Sequence, residues 1–270
     1  MAGAAEPAAA VKVLGERNSG TNLVERLLAA NTSTPVIDNN ISPRAKRFFA
    51  ALKQRTSRTT YHRLSEPMKD VLFLRLLRDQ HGWKHAAVTE RYLDRLPAEL
   101  AVVAVTKDPY AWLLSLYRHP YHRRPVPDRA TETLGDFLRR PWPTVRRERV
   151  DREYPTPVDL WNAKTRSYRL LDDHPRGIAV RYESLTADIP GTLAAIAGAC
   201  GLDLAEEIQV PERSVKRSGQ RATEDIIEHY ATRAFLDEYE AADIAFVNER
   251  LDPEVMAAFA YEYVEDAADP

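Results

Sequence analysis

The stretch Val11-Lys12-Val13-Leu14-Gly15-Glu16-Arg17-Asn18-Ser19-Gly20-Thr21-Asn22-Leu23-Val24 decides how this chain is read. Val11 to Leu14 is a short β-branched apolar run ending at Gly15, and from Thr21 to Ala30 the pairs Leu23, Leu27 and Val24, Leu28 recur at helical spacing. The order is strand, glycine-bounded loop, helix. Two glycines five apart in that context are the beginning of a phosphate-binding loop. The first turn of a helix carries N–H groups without intrahelical partners and the positive end of the dipole; Gly20 lets backbone approach an anion, and the Thr21 hydroxyl can donate to an oxygen. A loop for ATP or GTP needs Lys and then Ser or Thr directly after the second glycine. Here Thr21-Asn22 follow Gly20 and the cation, Arg17, precedes it, so the loop suits a nucleotide without a γ-phosphate. The competing reading is a structural turn in which Thr21 or Asn22 caps the helix.

Outward from this loop, Val102 to Thr106 is a continuous apolar run, the pattern of a strand buried on both faces of a parallel sheet, followed by a helix through Trp112, Leu113, Leu116 and Tyr117. Ile178 to Tyr182 is a third strand, after which the stripe Leu193, Ile196, Ala197, Cys200 stops at Gly201, a helix C-cap. Three strand-helix units predict an α/β fold, a three-layer P-loop-like domain with a mainly parallel central sheet. Gly82 to Val88 is a weaker strand candidate and Val36-Ile37 a short edge strand. His119 to Pro157 is dense in Pro and Arg, which disfavours long elements apart from a helix near Thr133 to Arg139, and is expected to cover the site. From Ala222 to Tyr263 the chain is charged and helical in period, with a break before Pro253.

The 270 residues are enough for one domain, expected over 11–270, with the Ala-rich residues 1–10 expected as a disordered tail rather than a signal peptide. No apolar segment reaches the ~18 residues of a membrane helix, so no membrane partner is expected and the cytoplasm is the default location. Cys200 is the only cysteine, which excludes an internal disulfide and a multi-cysteine zinc site; no metal is expected. A net charge of -2 argues against nucleic acid as a partner. It hides a basic run, Arg44, Lys46, Arg47, Lys53, Arg55, Arg58 and Arg63, that reads either as an anion-binding face or as a solvated helix face.

Asn18-Ser19-Gly20-Thr21-Asn22, the pair Lys107 and Ser115 within Val105-Thr106-Lys107-Asp108-Pro109-Tyr110-Ala111-Trp112-Leu113-Leu114-Ser115, and Val180-Arg181-Tyr182-Glu183-Ser184-Leu185 stand in this order along the chain. In these three places the sequence resembles the sulfotransferase superfamily, enzymes that take the sulfonate of 3′-phosphoadenosine 5′-phosphosulfate. The resemblance spans about residue 11 to 201. It implies that Arg17, Asn18, Ser19, Gly20, Thr21 and Asn22 bind the 5′-phosphosulfate, that Lys107 and Ser115 grip the 3′-phosphate, and that Tyr182 meets the adenine. Lys216-Arg217-Ser218-Gly219 resembles the loop that closes the 3′-phosphate site. The sequence departs from the family in having Asn18 where a cation directly precedes Ser-Gly-Thr, Lys107 for the usual Arg, and Leu23 where an aromatic residue is common; whether Arg17 or Asn18 meets the 5′-phosphosulfate stays open.

Trp83-Lys84-His85-Ala86 lies between the two nucleotide motifs, where the superfamily often places its base. His85 is expected to remove the acceptor proton, since an unperturbed imidazole is largely neutral at working pH. Lys84 is expected to stabilise a sulfonate or bridging oxygen, and Arg17 the leaving group. The expected reaction moves the sulfonate to a hydroxyl or amine of a small molecule or carbohydrate. The basic run suits an acidic carbohydrate or nucleoside, and Phe48, Phe49, Trp142 and Tyr154 suit an aromatic metabolite. Rival readings are an ATP-dependent P-loop phosphotransferase and a nucleotide-binding module without catalysis.

Overall fold

The computed structural model describes residues 7–120, 132–210 and 228–265. At its centre three parallel strands, β1 (Ala10–Gly15), β2 (Leu100–Thr106) and β5 (Gly177–Arg181), lie in the order β1-β2-β5. The register pairs Gly15 with Val105 and Thr106 with Arg181, so the three strands end along one edge. Every residue of β2 is buried, as its unbroken apolar run requires.

Alternation along the strands sorts the core into two layers. Val11, Val13, Val103, Val105 and Val180 pack against α1 (Thr21–Asn31) and α9 (Ile189–Cys200). Leu14, Val102 and Ala104 face the other way, toward α5 (Pro109–Arg118), α7 (Pro157–Tyr168), α10 (Ala241–Arg250) and α11 (Pro253–Ala258). The sheet is thus covered by helices on both faces, a three-layer α/β arrangement with a parallel sheet. Asp188 caps α9 by accepting from the Gly191 N–H, and Gly201, at φ 64°, ends it in the left-handed conformation.

The remaining helices are α2 (Pro43–Arg55), α3 (Arg58–Val71), α4 (Glu90–Leu93), α6 (Leu134–Leu138), which buries Phe137 and Leu138 in the core, and α8 (Tyr182–Ala187), beside an antiparallel ribbon of β3 (Trp142–Pro143) with β4 (Glu153–Tyr154). The basic run lies on α2 and α3, where its arginines and lysines are exposed. Val36, in the expected short edge strand, makes a parallel bridge to Val11 at the edge of β1.

Two expectations are corrected. Gly82 to Val88 forms no strand; it is a series of turns, with Gly82 at φ 88° and the Ala86 N–H bonded back to the Trp83 carbonyl. Residues 8–10 do not belong to a disordered tail. Ala10 opens β1, the Ala9 N–H donates to the Glu99 carbonyl at 2.9 Å and that of Ala8 to Gly201 at 3.0 Å, while residues 1–6 lie outside the described ones. Among the described residues no helix is long and apolar enough to cross a membrane.

Lys12 projects from β1 fully buried, and its ammonium makes no hydrogen bond among the described residues. Burial brings its pKa down from 10.5 to about 7, with Glu25 opposing the shift. Because the folded value is depressed, the unfolded chain holds the extra proton between about pH 7 and 10.5, and stability rises with pH across that window. Lys12→Met is therefore expected to raise stability at pH 7 by on the order of 1 kcal/mol or more. Urea midpoints should show this advantage shrinking as the pH approaches 10; a lowered midpoint at pH 7 would contradict it.

Candidate active site

The loop from Glu16 to Gly20 turns β1 into α1 with Asn18 at φ 66° and Gly20 at φ 97°. Asn tolerates the left-handed region, and Gly is required at position 20 because a Cβ there would lie 2.2 Å from the Tyr182 ring. The eleven-residue α1 has no side-chain cap: the Asn22 side-chain oxygen instead accepts from Lys84 Nζ at 2.6 Å. Among the described residues the N–H groups of Gly20, Thr21 and Asn22 make no hydrogen bond, and they converge with the positive end of the helix dipole. Neither Thr21 nor Asn22 caps the helix with its side chain. Ser19 has a different part. Its hydroxyl donates to the Glu16 carbonyl at 2.6 Å, and its N–H donates to the same oxygen at 3.2 Å, so it closes the turn.

Two groups from distant segments, Lys164 and Trp112, hold this loop in place. Glu16 accepts the Arg17 N–H at 2.6 Å through one carboxylate oxygen and pairs with the Lys164 ammonium through the other. Lys164 is 1% exposed; it also donates to the His85 carbonyl at 2.8 Å and pairs with Glu148 at 3.0 Å. Trp112 Nε1 donates to the Arg17 carbonyl at 2.8 Å. Sequence reasoning passed over Glu16, Glu148 and Lys164. The one available signal is that Lys164 falls on the buried face of α7 with Trp161, Thr165 and Tyr168, a position where a lone lysine needs a counter-charge.

The segment 83–85 lies across the end of β1. The Gly15 N–H donates to the Lys84 carbonyl at 2.9 Å, and His85 Nδ1 donates to the Gly15 carbonyl at 2.8 Å. A carbonyl only accepts, so the ring is held as the Nδ1–H tautomer with Nε2 as acceptor. Burial, then the nearby Arg17 charge, push the His85 pKa well below 6.5, and the Gly15 bond opposes them. The Trp83 ring stands edge-on to His85 at 5.1 Å and carries the Arg17 guanidinium at 4.9 Å, so this tryptophan organises both. Lys84 Nζ pairs with Glu25 at 2.9 Å above the first turn of α1.

Lys107 follows β2, the neighbour of β1, and is 3% exposed. Its ammonium donates to Ser115 Oγ at 2.9 Å, and that hydroxyl donates to the Ala111 carbonyl at 2.7 Å. Burial lowers the Lys107 pKa from 10.5 to about 8 against the pull of Glu183 and Asp108. The Tyr182 ring lies 5.5 Å from Lys107 Nζ and also fills the space beside Gly20, and Tyr230 covers the ammonium at 4.8 Å. One tyrosine thus spans the gap between the loop and the Lys107 turn. Lys216 and Arg217 lie outside the described residues.

No family model matches the chain, and no curated protein matches it. Among solved structures it is similar to retinol dehydratase in a complex with retinol and PAP, at 14% identity and a TM-score of 0.47 over 97% of this chain and 85% of that one. It is also similar to retinol dehydratase in complex with androsterone and the inactive cofactor PAP, at 12% identity and 0.45 over 96% and 84%. A third is mouse sulfotransferase SULT7A1 complexed with PAP, at 12% and 0.35 over 93% and 81%.

Removing the Lys164 charge strands two buried carboxylates, Glu16 and Glu148. Lys164→Met is therefore expected to cost about 3–5 kcal/mol of folding stability in urea titrations, and adding Glu16→Gln to recover part of it. A variant as stable as the parent would show that this network does not hold the loop.

Proposed function

We propose that this chain is a sulfotransferase that binds 3′-phosphoadenosine 5′-phosphosulfate without metal and moves its sulfonate to a hydroxyl or amine of a small molecule or carbohydrate. The observation that carries the proposal is the pairing of two unlike anion sites on adjacent parallel strands. One is a helix N-terminus with three uncommitted N–H groups, the other a buried lysine-serine pair, with Tyr182 between them. A nucleotide with charge at both its 5′ and 3′ positions matches that pairing, whereas ATP presents its phosphates at one end and would leave Lys107 buried without an anion.

In this reading the N–H groups of Gly20 to Asn22 and the Thr21 hydroxyl hold the 5′-phosphosulfate. Lys107 and Ser115 take the 3′-phosphate, and Tyr182 lies under the base. Arg17, set on Trp83 beside His85, is the cation nearest the transfer step. His85 Nε2 accepts the proton as the acceptor oxygen or nitrogen bonds to sulfur and the sulfur–phosphate oxygen bond breaks. Arg17 and Lys84 then face the charge that gathers on the departing phosphate and the sulfonate oxygens. The Glu25 pair holds Lys84 over the first turn of α1, where such a contact is within its reach.

Calorimetry in the presence of a chelator is expected to give tighter binding of 3′-phosphoadenosine 5′-phosphate than of ADP; equal affinities, or binding that returns only with magnesium, would sink the reading. His85→Gln is expected to lower turnover by about 100-fold with the nucleotide affinity unchanged. A third expectation concerns pH. Since the Lys107 cation is lost as pH rises through about 8, donor affinity should fall above that value, and Lys107→Arg should abolish the fall. A profile that is flat in the parent enzyme contradicts a role for Lys107 in holding the 3′-phosphate.

A further inference from the structure

A half-open cleft of about 1160 Å³ lies between the end of α3, the turns at 74–82, α4 and the segment that leads from β3 to β4. Trp83, which organises Arg17 and His85, packs on Phe73 of its wall, so the cleft lies behind the 83–85 segment. Seven arginines line it, with no lysine and a single acid, Asp70, whose carboxylate is already paired with Arg147 at 2.9 Å. None of the seven is within an ion pair among the described residues. They come from separate segments, Arg75 and Arg78, Arg91 and Arg95, and Arg146, Arg149 and Arg152. So much like charge facing one space is repulsive unless an anion occupies it.

Arg149 shows that the floor is built for this. It holds the left-handed backbone at φ 59°, a conformation that costs an ordinary side chain on the order of 1 kcal/mol. Its guanidinium lies over the Tyr92 ring at 3.9 Å and fills space that exists only because residue 82 is glycine: a Cβ there would be 2.0 Å from Arg149 Nη2. Its Nη1 is buried without a hydrogen-bond partner. Behind it, the buried Lys12 ammonium lies within electrostatic reach of both Arg149 and His81, the one histidine of the wall.

We infer that this cleft is a binding site for a polyanionic carbohydrate chain, held by arginine forks on its sulfate or carboxylate groups and independent of the nucleotide site. The volume exceeds the roughly 300–1,000 Å³ of pockets for single small molecules, which suits several linked units. The wall has exposed aliphatic side chains, Val71 and Leu74, for the apolar faces of sugar rings, but its aromatic residues Phe73 and Tyr92 are buried, so bases of a single-stranded nucleic acid have no ring to stack on. A membrane surface cannot reach into a concave cleft whose deepest cation is at its floor. Planar guanidinium forks match sulfate and carboxylate two bonds at a time.

The test is calorimetry of the full chain with a heparin octasaccharide, a hyaluronan octasaccharide and a 12-nucleotide single-stranded RNA. The companion variant is Arg91→Gln/Arg95→Gln/Arg146→Gln/Arg152→Gln, which changes only exposed side chains. The octasaccharide with more charge should bind tighter. Its affinity should drop by about tenfold or more between roughly 50 and 200 mM salt, and by about thirtyfold or more in the variant. Affinity for 3′-phosphoadenosine 5′-phosphate should be the same in both proteins, which shows that the variant is folded. Absence of heparin binding, unchanged heparin binding in the variant, or tighter binding of RNA overturns the inference. Loss of nucleotide binding in the parent protein with heparin binding intact counts against the sulfotransferase reading alone.

Discussion

One buried ammonium, that of Lys164, fixes the relation between the parts of this molecule that can do chemistry. It meets the Glu16 carboxylate of the first loop, the carbonyl of His85 and the Glu148 carboxylate of the segment joining β3 to β4. Burying three charges is costly, and the cost is offset only while every member keeps its partners. That requirement is what ties α7, the end of β1 and the 83–85 segment into a single geometry. With Glu16 held, its second oxygen receives the Arg17 N–H and its carbonyl receives Ser19, so the loop that presents the α1 N-terminus has little freedom left. The carbonyl bond to His85 fixes the same residue whose ring is oriented from the other side by Gly15.

Three buried lysines among the described residues show how environment divides one side chain into different tasks. Lys164 has carboxylates on two sides and is structural. Lys107 has a hydroxyl partner and two acids at a distance, and it keeps a charge that is only partly compensated, at a strand end beside the first loop. Lys12 has no hydrogen-bond partner among the described residues, and burial takes its pKa to about 7. A charge kept under-compensated at the edge of a sheet is a cost to the folded chain that a bound anion can offset.

Much of the framework was legible in the chain because its signals are local. Continuous apolar runs gave β1, β2 and β5, helical spacing gave α1 and α9, and Gly201 marked a stop that the backbone obeys at φ 64°. Gly20 was legible for the same reason, although its closest constraint, the Tyr182 ring, comes from far along the sequence. What escaped is non-local. Lys164 and Glu16 are 148 residues apart, Trp112 reaches back to Arg17, and no periodicity reports either contact. Gly82 to Val88 runs beside β1 without making a ladder, because its backbone groups bond singly to scattered partners, Lys84 to Gly15 and Asn39, His85 to Lys164, Ala87 to Glu148 and Val88 to Ser167. The basic residues that are consecutive in sequence spread over the exposed faces of α2 and α3, whereas the arginines that line the cleft come from three segments with acids between them.

The central claim is that the α1 N-terminus and the Lys107 turn hold opposite ends of one adenosine bisphosphate. A crystal structure of the chain with 3′-phosphoadenosine 5′-phosphate tests it most directly. The account predicts the 5′-phosphate on the N–H groups of Gly20 to Asn22, the 3′-phosphate on Lys107 Nζ and Ser115 Oγ, and Tyr182 displaced from the side of Gly20 or stacked on the base. A nucleotide seated elsewhere, or one that leaves the Lys107–Ser115 bond and its tyrosine cover untouched, would contradict it.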